Sequence, residues 1–212
     1  FHGIDLLLEK SPDGSNNFTF GAAAERAALP AIERMLLYDA TIAYAAVEGP
    51  VRRLHMAQVR ARKVPGQPVE LEAQTTVNAV PVTLSLHSEP AGDGHPHTPW
   101  KITLFGEAGD LSLRVQGRVA DPTDWRQGEY RLALKGRQLD QLETLSGYPF
   151  PEAGPYKLAA KLLFKLDDYL AVSDFSAQLG DSDLHGNLRW DMRTPRPAIK
   201  VRIESQRLDV FE

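Results

Sequence analysis

Apolar and polar positions alternate along most of this chain. In Leu184-His-Gly-Asn-Leu-Arg-Trp-Asp-Met192, the residues Leu184, Gly186, Leu188, Trp190 and Met192 fall on one side. His185, Asn187, Arg189 and Asp191 fall on the other. A period of two belongs to a β-strand with one dry and one wet face. The same alternation runs through Ile4–Leu8, Val69–Ala73, Val82–Leu86, Trp100–Leu104, Leu111–Gly117, Tyr130–Leu134 and Ile199–Ile203, and less cleanly through Tyr156–Leu166. Turn residues punctuate these runs: Pro12-Asp-Gly-Ser15, Glu48-Gly-Pro50, Pro65-Gly66, Gly92-Asp-Gly94, Gly106 to Asp110 and Gly180-Asp-Ser-Asp183. Links this short leave no room for crossover helices, so the pairing is expected to be antiparallel. About thirteen strands are predicted.

Two departures from period two matter. Leu139, Leu142 and Leu145 are spaced by three before Gly147 and Pro149, which predicts one short helix. Ala22 to Leu29 reads as a second short helix or as a loop. Gly128-Glu-Tyr-Arg-Leu-Ala133 is echoed by Gly154-Pro-Tyr-Lys-Leu-Ala159, and glycines recur inside the strand patterns. Glycine weakens a strand unless a bend, bulge or close approach needs it, so the recurrence suggests a strongly curved sheet. The expected fold is all-β: an elongated, curved antiparallel sheet, a trough-like meander with one or two short helices. It forms a single β-rich region over residues 1–212, with a soft boundary near 90–98. A β-sandwich with incidental glycines is the alternative.

Composition narrows the function classes. The 24 Lys and Arg stand against 28 Asp and Glu, a net charge of −4, which gives no electrostatic reason to expect nucleic acid. The basic run Arg52-Arg53, Arg60, Arg62, Lys63 lacks interleaved aromatics and reads as a solvated strand face. The absence of cysteine removes disulfides, thiolate metal ligands and thiol nucleophiles. No run approaches the ~20 apolar residues of a membrane helix. The chain begins at Phe1 on a strand pattern, so it is expected to be an excerpt of a longer protein.

Candidate chemistry is sparse. His95 and His97 sit in a Pro/Gly loop without a third ligand, and His2, His55, His87 and His185 fall on polar faces. Asp167-Asp168, and Asp181 with Asp183, are read as turn residues stabilised by their own backbone hydrogen bonds. Trp125 reads as packing under a loop. No nucleophile elbow, phosphate-cradling loop or zinc motif is present, so no enzyme, metal or cofactor is expected.

The order of motifs does resemble one family. Leu179-Gly-Asp-Ser-Asp-Leu-His-Gly-Asn-Leu-Arg189, then Arg196-Pro-Ala-Ile199 and Ser205-Gln-Arg-Leu-Asp209, resemble the closing segment of the AsmA family of bacterial envelope proteins. Leu6-Leu-Leu-Glu-Lys10 with Pro12-Asp-Gly-Ser-Asn-Asn-Phe18 is similar to its opening strand and turn, with Asn17-Phe18 where Asn-Trp is usual. Leu29-Pro30 with Leu37 to Tyr44, and Leu139 to Gly147 with Phe150-Pro151 and Gly154-Pro-Tyr156, resemble the pieces between. The resemblance implies a periplasmic protein of a Gram-negative bacterium, anchored to the inner membrane by an amino-terminal helix outside this sequence. It also implies a β-trough that conducts phospholipid towards the outer membrane and supports outer-membrane biogenesis, with possible envelope protein partners.

On that reading the apolar alternating positions line a groove for phospholipid acyl chains: Trp100, Ile102, Leu104, Leu111, Leu113, Val115, Leu158, Leu162, Phe164, Leu184, Leu188, Trp190, Ile199, Val201 and Ile203. The competing reading makes them the closed core of a sandwich. A different class of function, a structural or protein-binding module assisting outer-membrane protein assembly, would use open strand edges instead. A carbohydrate-binding sandwich ranks last, because it needs an exposed aromatic platform.

Overall fold

The computed structural model describes residues 1–13, 15, 17, 33–45, 47, 51–64, 67–91, 98–120, 127–150, 154–165, 168–193 and 198–208. Their strands are β1 (His2–Glu9), β2 (Arg34–Ala45), β3 (Arg52–Arg62), β4 (Val69–Val77), β5 (Val80–Pro90), β6 (Trp100–Ala108), β7 (Leu111–Val119), β8 (Gln127–Gly136), β9 (Tyr156–Lys165), β10 (Tyr169–Leu179), β11 (Ser182–Asp191) and β12 (Ala198–Glu204). One helix, α1 (Asp140–Ser146), lies between β8 and β9. The strands form a single twelve-stranded sheet in unbroken chain order. It is curved and does not close into a barrel. The fold is all-β, as the alternation predicts.

Tight turns fix the register. Asn78 and Ala79 both take positive φ, 47° and 69°, and join β4 to β5 as a two-residue turn of type I′. Gly109 (φ 60°) with Asp110, and Gly180 (φ 56°) with Asp181, make the same two-residue link for β6–β7 and β10–β11. The predicted turn over Gly106 to Asp110 is therefore shorter than expected, and Gly106 lies within β6. Ser182 and Asp183 likewise belong to β11 rather than to the turn before it.

The pairing is antiparallel from β2 to β12, but β1 pairs β2 in parallel, from His2↔Tyr38 to Glu9↔Ala45. The link between them spans residues 10–33, long enough for the crossover that a parallel pair requires. The expected hairpin-only rule fails there for that reason. The predicted helix is α1, ended by Gly147 at φ 73° with its N–H on the Glu143 carbonyl. The Ala22–Leu29 segment, the turns at Glu48–Pro50, Pro65-Gly66 and Gly92–Gly94, together with His95, His97, Trp125, Leu166 and Asp167, lie outside the described residues.

In-strand glycines have a specific partner. Gly117 pairs across the ladder with Tyr130, and a Cβ on it would sit 2.5 Å from the ring. Gly136 pairs with Tyr156, whose hydroxyl would lie 2.5 Å from such a Cβ. The echoed Gly-x-Tyr sequences thus place a tyrosine over the glycine of the preceding strand, an aromatic covering that restores the buried area glycine lacks.

Candidate functional site: the apolar face of the sheet

Cross-strand register assembles one continuous apolar face. In β6 and β7, Ile102 opposes Gly117, Leu104 opposes Val115, and Gly106 opposes Leu113. Across β8 and β9, Tyr130 opposes Leu162 and Leu134 opposes Leu158. The row continues through Phe164↔Leu170↔Trp190↔Ile199 and Leu162↔Val172↔Leu188↔Val201. All the alternating positions singled out from the sequence therefore share one face. The same face extends beyond them through Leu84↔Ala73↔Val59↔Leu37 in β5 to β2.

Only one layer carries this face. Among the described residues each strand packs against its neighbours in the sheet order and no second sheet lies across from it. The closed-sandwich alternative does not describe this molecule. Burial nevertheless differs between the two faces. In β6, Ile102 is buried at 7% exposure, whereas Phe105 on the other face is 43% exposed. In β9, Leu162 is half-buried and its neighbour Leu163 is exposed. The apolar face, the inner face, is the more shielded of the two. Towards the β12 edge the shielding fades, and Ile199, Val201 and Ile203 stand exposed.

The connection containing α1 crosses the strand ends and is tied down at several points. The Asn78 side-chain amide donates to the Thr144 carbonyl at 3.0 Å, and the Arg52 guanidinium stacks on Tyr148 at 5.6 Å. The Arg137 backbone N–H donates to Asp110 at 2.7 Å, holding that carboxyl below its usual range, and Gly180 N–H donates to the Pro155 carbonyl. Ala108, Leu111, Leu139 and Tyr156 are buried at this end. Burial, aided by the nearby charges of Asp110 and Asp140, pushes the Tyr156 phenol up to about 12.

The polar motif residues serve the chain ends. Asp183 accepts the backbone N–H of Arg207 at 2.6 Å and of Gln206 at 3.0 Å, with the Ser205 hydroxyl at 3.3 Å. These bonds, led by that from Arg207, hold its carboxyl below the ordinary range. At the other end, Asn17 donates to the Leu7 carbonyl and accepts from the Glu9 N–H, each at 2.8 Å. Asp168 pairs with Lys165. His2, His87 and His185 are exposed and His55 is half-buried beside the Thr41 hydroxyl at 3.3 Å. Among the described residues no group of three or more His, Asp or Glu could hold a metal ion. No described helix is long and apolar enough to cross a membrane.

Over 150 residues, 65% of its length, the chain is 30% identical to the AsmA family protein YhjG of Escherichia coli K12. The chain is AsmA-like. It spans 21% of that relative's length. No family model and no solved structure matches it. Asn17 and Asp183 are hydrogen-bonded fastenings of strand ends, and the alternating residues between them build the face.

Proposed function

We propose that this AsmA-like segment is a wall of a lipid conduit in the bacterial envelope, periplasmic and non-enzymatic, whose inner face carries phospholipid acyl chains between the inner and outer membranes. The observation that carries the reading is the unbroken apolar face of a single-layered curved sheet. Moving an acyl chain through water costs ~0.8 kcal/mol per CH₂, on the order of 20 kcal/mol for two chains of ordinary length. A face of Leu, Ile, Val and aromatic side chains removes most of that barrier, while Lys, Arg and Asp on the outer face keep the wall in water. A ten-residue strand spans ~33 Å, enough to cover an extended acyl chain. Headgroups would ride outside the groove, in solvent, so specificity for the tails is low.

The test is substitution inside the groove. Leu113→Asp and Leu188→Asp place a charge on the path of the acyl chains at half-buried positions. Each is expected to abolish recovery of phospholipid with the purified protein, measured by lipid extraction or native mass spectrometry, while circular dichroism stays that of the unaltered sheet. Undiminished lipid recovery in both variants would refute the conduit.

A second reading rests on β12. All seven of its residues are exposed and only its β11 side is paired, which is the geometry that recruits a partner by strand addition. A protein-binding role in outer-membrane assembly would depend on that edge and not on Leu113.

A further inference from the structure

The outer face of β6 to β9 concentrates like-charge pairs that occur singly elsewhere in the sheet, at Arg34↔Arg62 and Arg189↔Lys200. Like charges directly opposite one another destabilise a strand pair. In β3 and β4 the polar face follows the rule, with Arg60 opposite Glu72 and Arg62 opposite Glu70. In β6 to β9 like charges meet three times, Lys101 facing Arg118, Arg131 facing Lys161 and Lys135 facing Lys157, while Glu129 opposes Arg118 from β8 and Glu89 opposes Lys101 from β5. On this face β6 contributes one cation, β7 and β8 two each and β9 three, against one carboxylate from β6 and one from β8. Asp174 and Asp168 neutralise Lys161 and Lys165. The balance is still strongly positive in a chain whose net charge is −4.

A sequence that accepts such a local cost does so where function requires it. Lys101, Arg118, Arg131 and Lys161 line one depression of this face, together with the carboxylate of Glu129. Two large apolar side chains stand among the cations, Phe105 at 43% exposure with Arg114 over its ring at 5.0 Å, and Leu163 at 40% exposure. Cations spread over four strands suit an extended anionic surface better than a single small ion. Apolar side chains set among cations are what interfacial binding to anionic lipid uses.

We infer that the outer face of β6 to β9 docks on an anionic lipid bilayer, laying the back of the groove against a membrane surface. This contact is independent of acyl-chain binding on the inner face, so either can fail without the other.

The experiment is co-sedimentation of the chain with vesicles of phosphatidylcholine alone and of phosphatidylcholine containing phosphatidylglycerol. The chain is expected to bind only the anionic vesicles and to be released by salt, since surface charge attraction is screened. The triple variant Lys101→Glu, Arg131→Glu, Lys135→Glu turns each like-charge pair into an opposite-charge pair. Its partition is expected to fall on the order of a hundredfold. Leu113→Asp, on the inner face, leaves vesicle binding intact. Equal binding to neutral vesicles, or unchanged partition in the triple variant, overturns the inference. So does competition-sensitive binding to polyglutamate with none to vesicles, which would assign the face to an acidic protein.

Discussion

Tyr156 shows how much single side chains decide at the start of β9, where it is buried. Its hydroxyl is buried without a hydrogen-bond partner among the described residues, and its pKa is raised from 10.0 to about 12, burial being the largest cause. A raised folded pKa means that the stability contributed by the neutral phenol is fully present below pH 10. It is lost as pH climbs from 10 through about 12, because the unfolded phenol ionises more readily. Alkaline denaturation followed by circular dichroism should therefore show a component in that window which Tyr156→Phe removes. The same variant should lose nothing at neutral pH, since an unpaired buried hydroxyl is a cost rather than a gain. Beside it, Gly136→Ala and Gly117→Ala force a methyl against a tyrosine ring. Each is expected to cost about 1–3 kcal/mol, as overpacking does, read as a lower urea midpoint. Asp183 acts differently: Asp183→Ala leaves the sheet folded but frees the segment after β12, seen as faster hydrogen exchange at the Gln206 and Arg207 amides.

At the scale of elements, the strands with unbroken alternation were legible in the sequence, and so was α1, because three-residue leucine spacing and a glycine stop are local signals. β10 was not, and the reason is a bulge. Val172 and Phe175 both face the groove although they are three residues apart, because the register shifts between them on both sides of the strand. Asp174 absorbs the extra residue at φ 49°. β2 repeats the device: Leu37 and Ala40 share a face across Asp39, at φ 50°, and β3 slips by one between Met56 and Gln58. A period-two reading loses phase at such points. Positive φ costs a β-branched side chain more than glycine, so Asp39→Val should destabilise by about 1–2 kcal/mol while Asp39→Gly is tolerated. By the same argument Ala79→Gly, in the type I′ turn, should raise stability by about 1 kcal/mol. Thermal melts of the three variants test both statements. The parallel β1–β2 pair was hidden too, since nothing in a long connection announces which way the next strand returns.

For the whole molecule, the residues of the shared apolar face could be picked out by alternation alone, because two-residue turns carry the same face from strand to strand. Whether that face was open or covered was not legible: alternation is identical for a sandwich and for a trough, and only the arrangement of layers separates them. The cation pairs of the outer face were equally invisible, since cross-strand opposition depends on register. The account stands on acyl chains contacting the inner face and not the outer. Leu84 and Thr83 are adjacent in β5, pair with Ala73 and Gln74 of β4, and point to opposite faces. A photo-crosslinking residue at each, illuminated in cells before mass analysis of the purified protein, tests the claim most directly. Covalently attached phospholipid at position 84 with none at position 83 is the predicted result; labelling of both alike, or of neither, would contradict it.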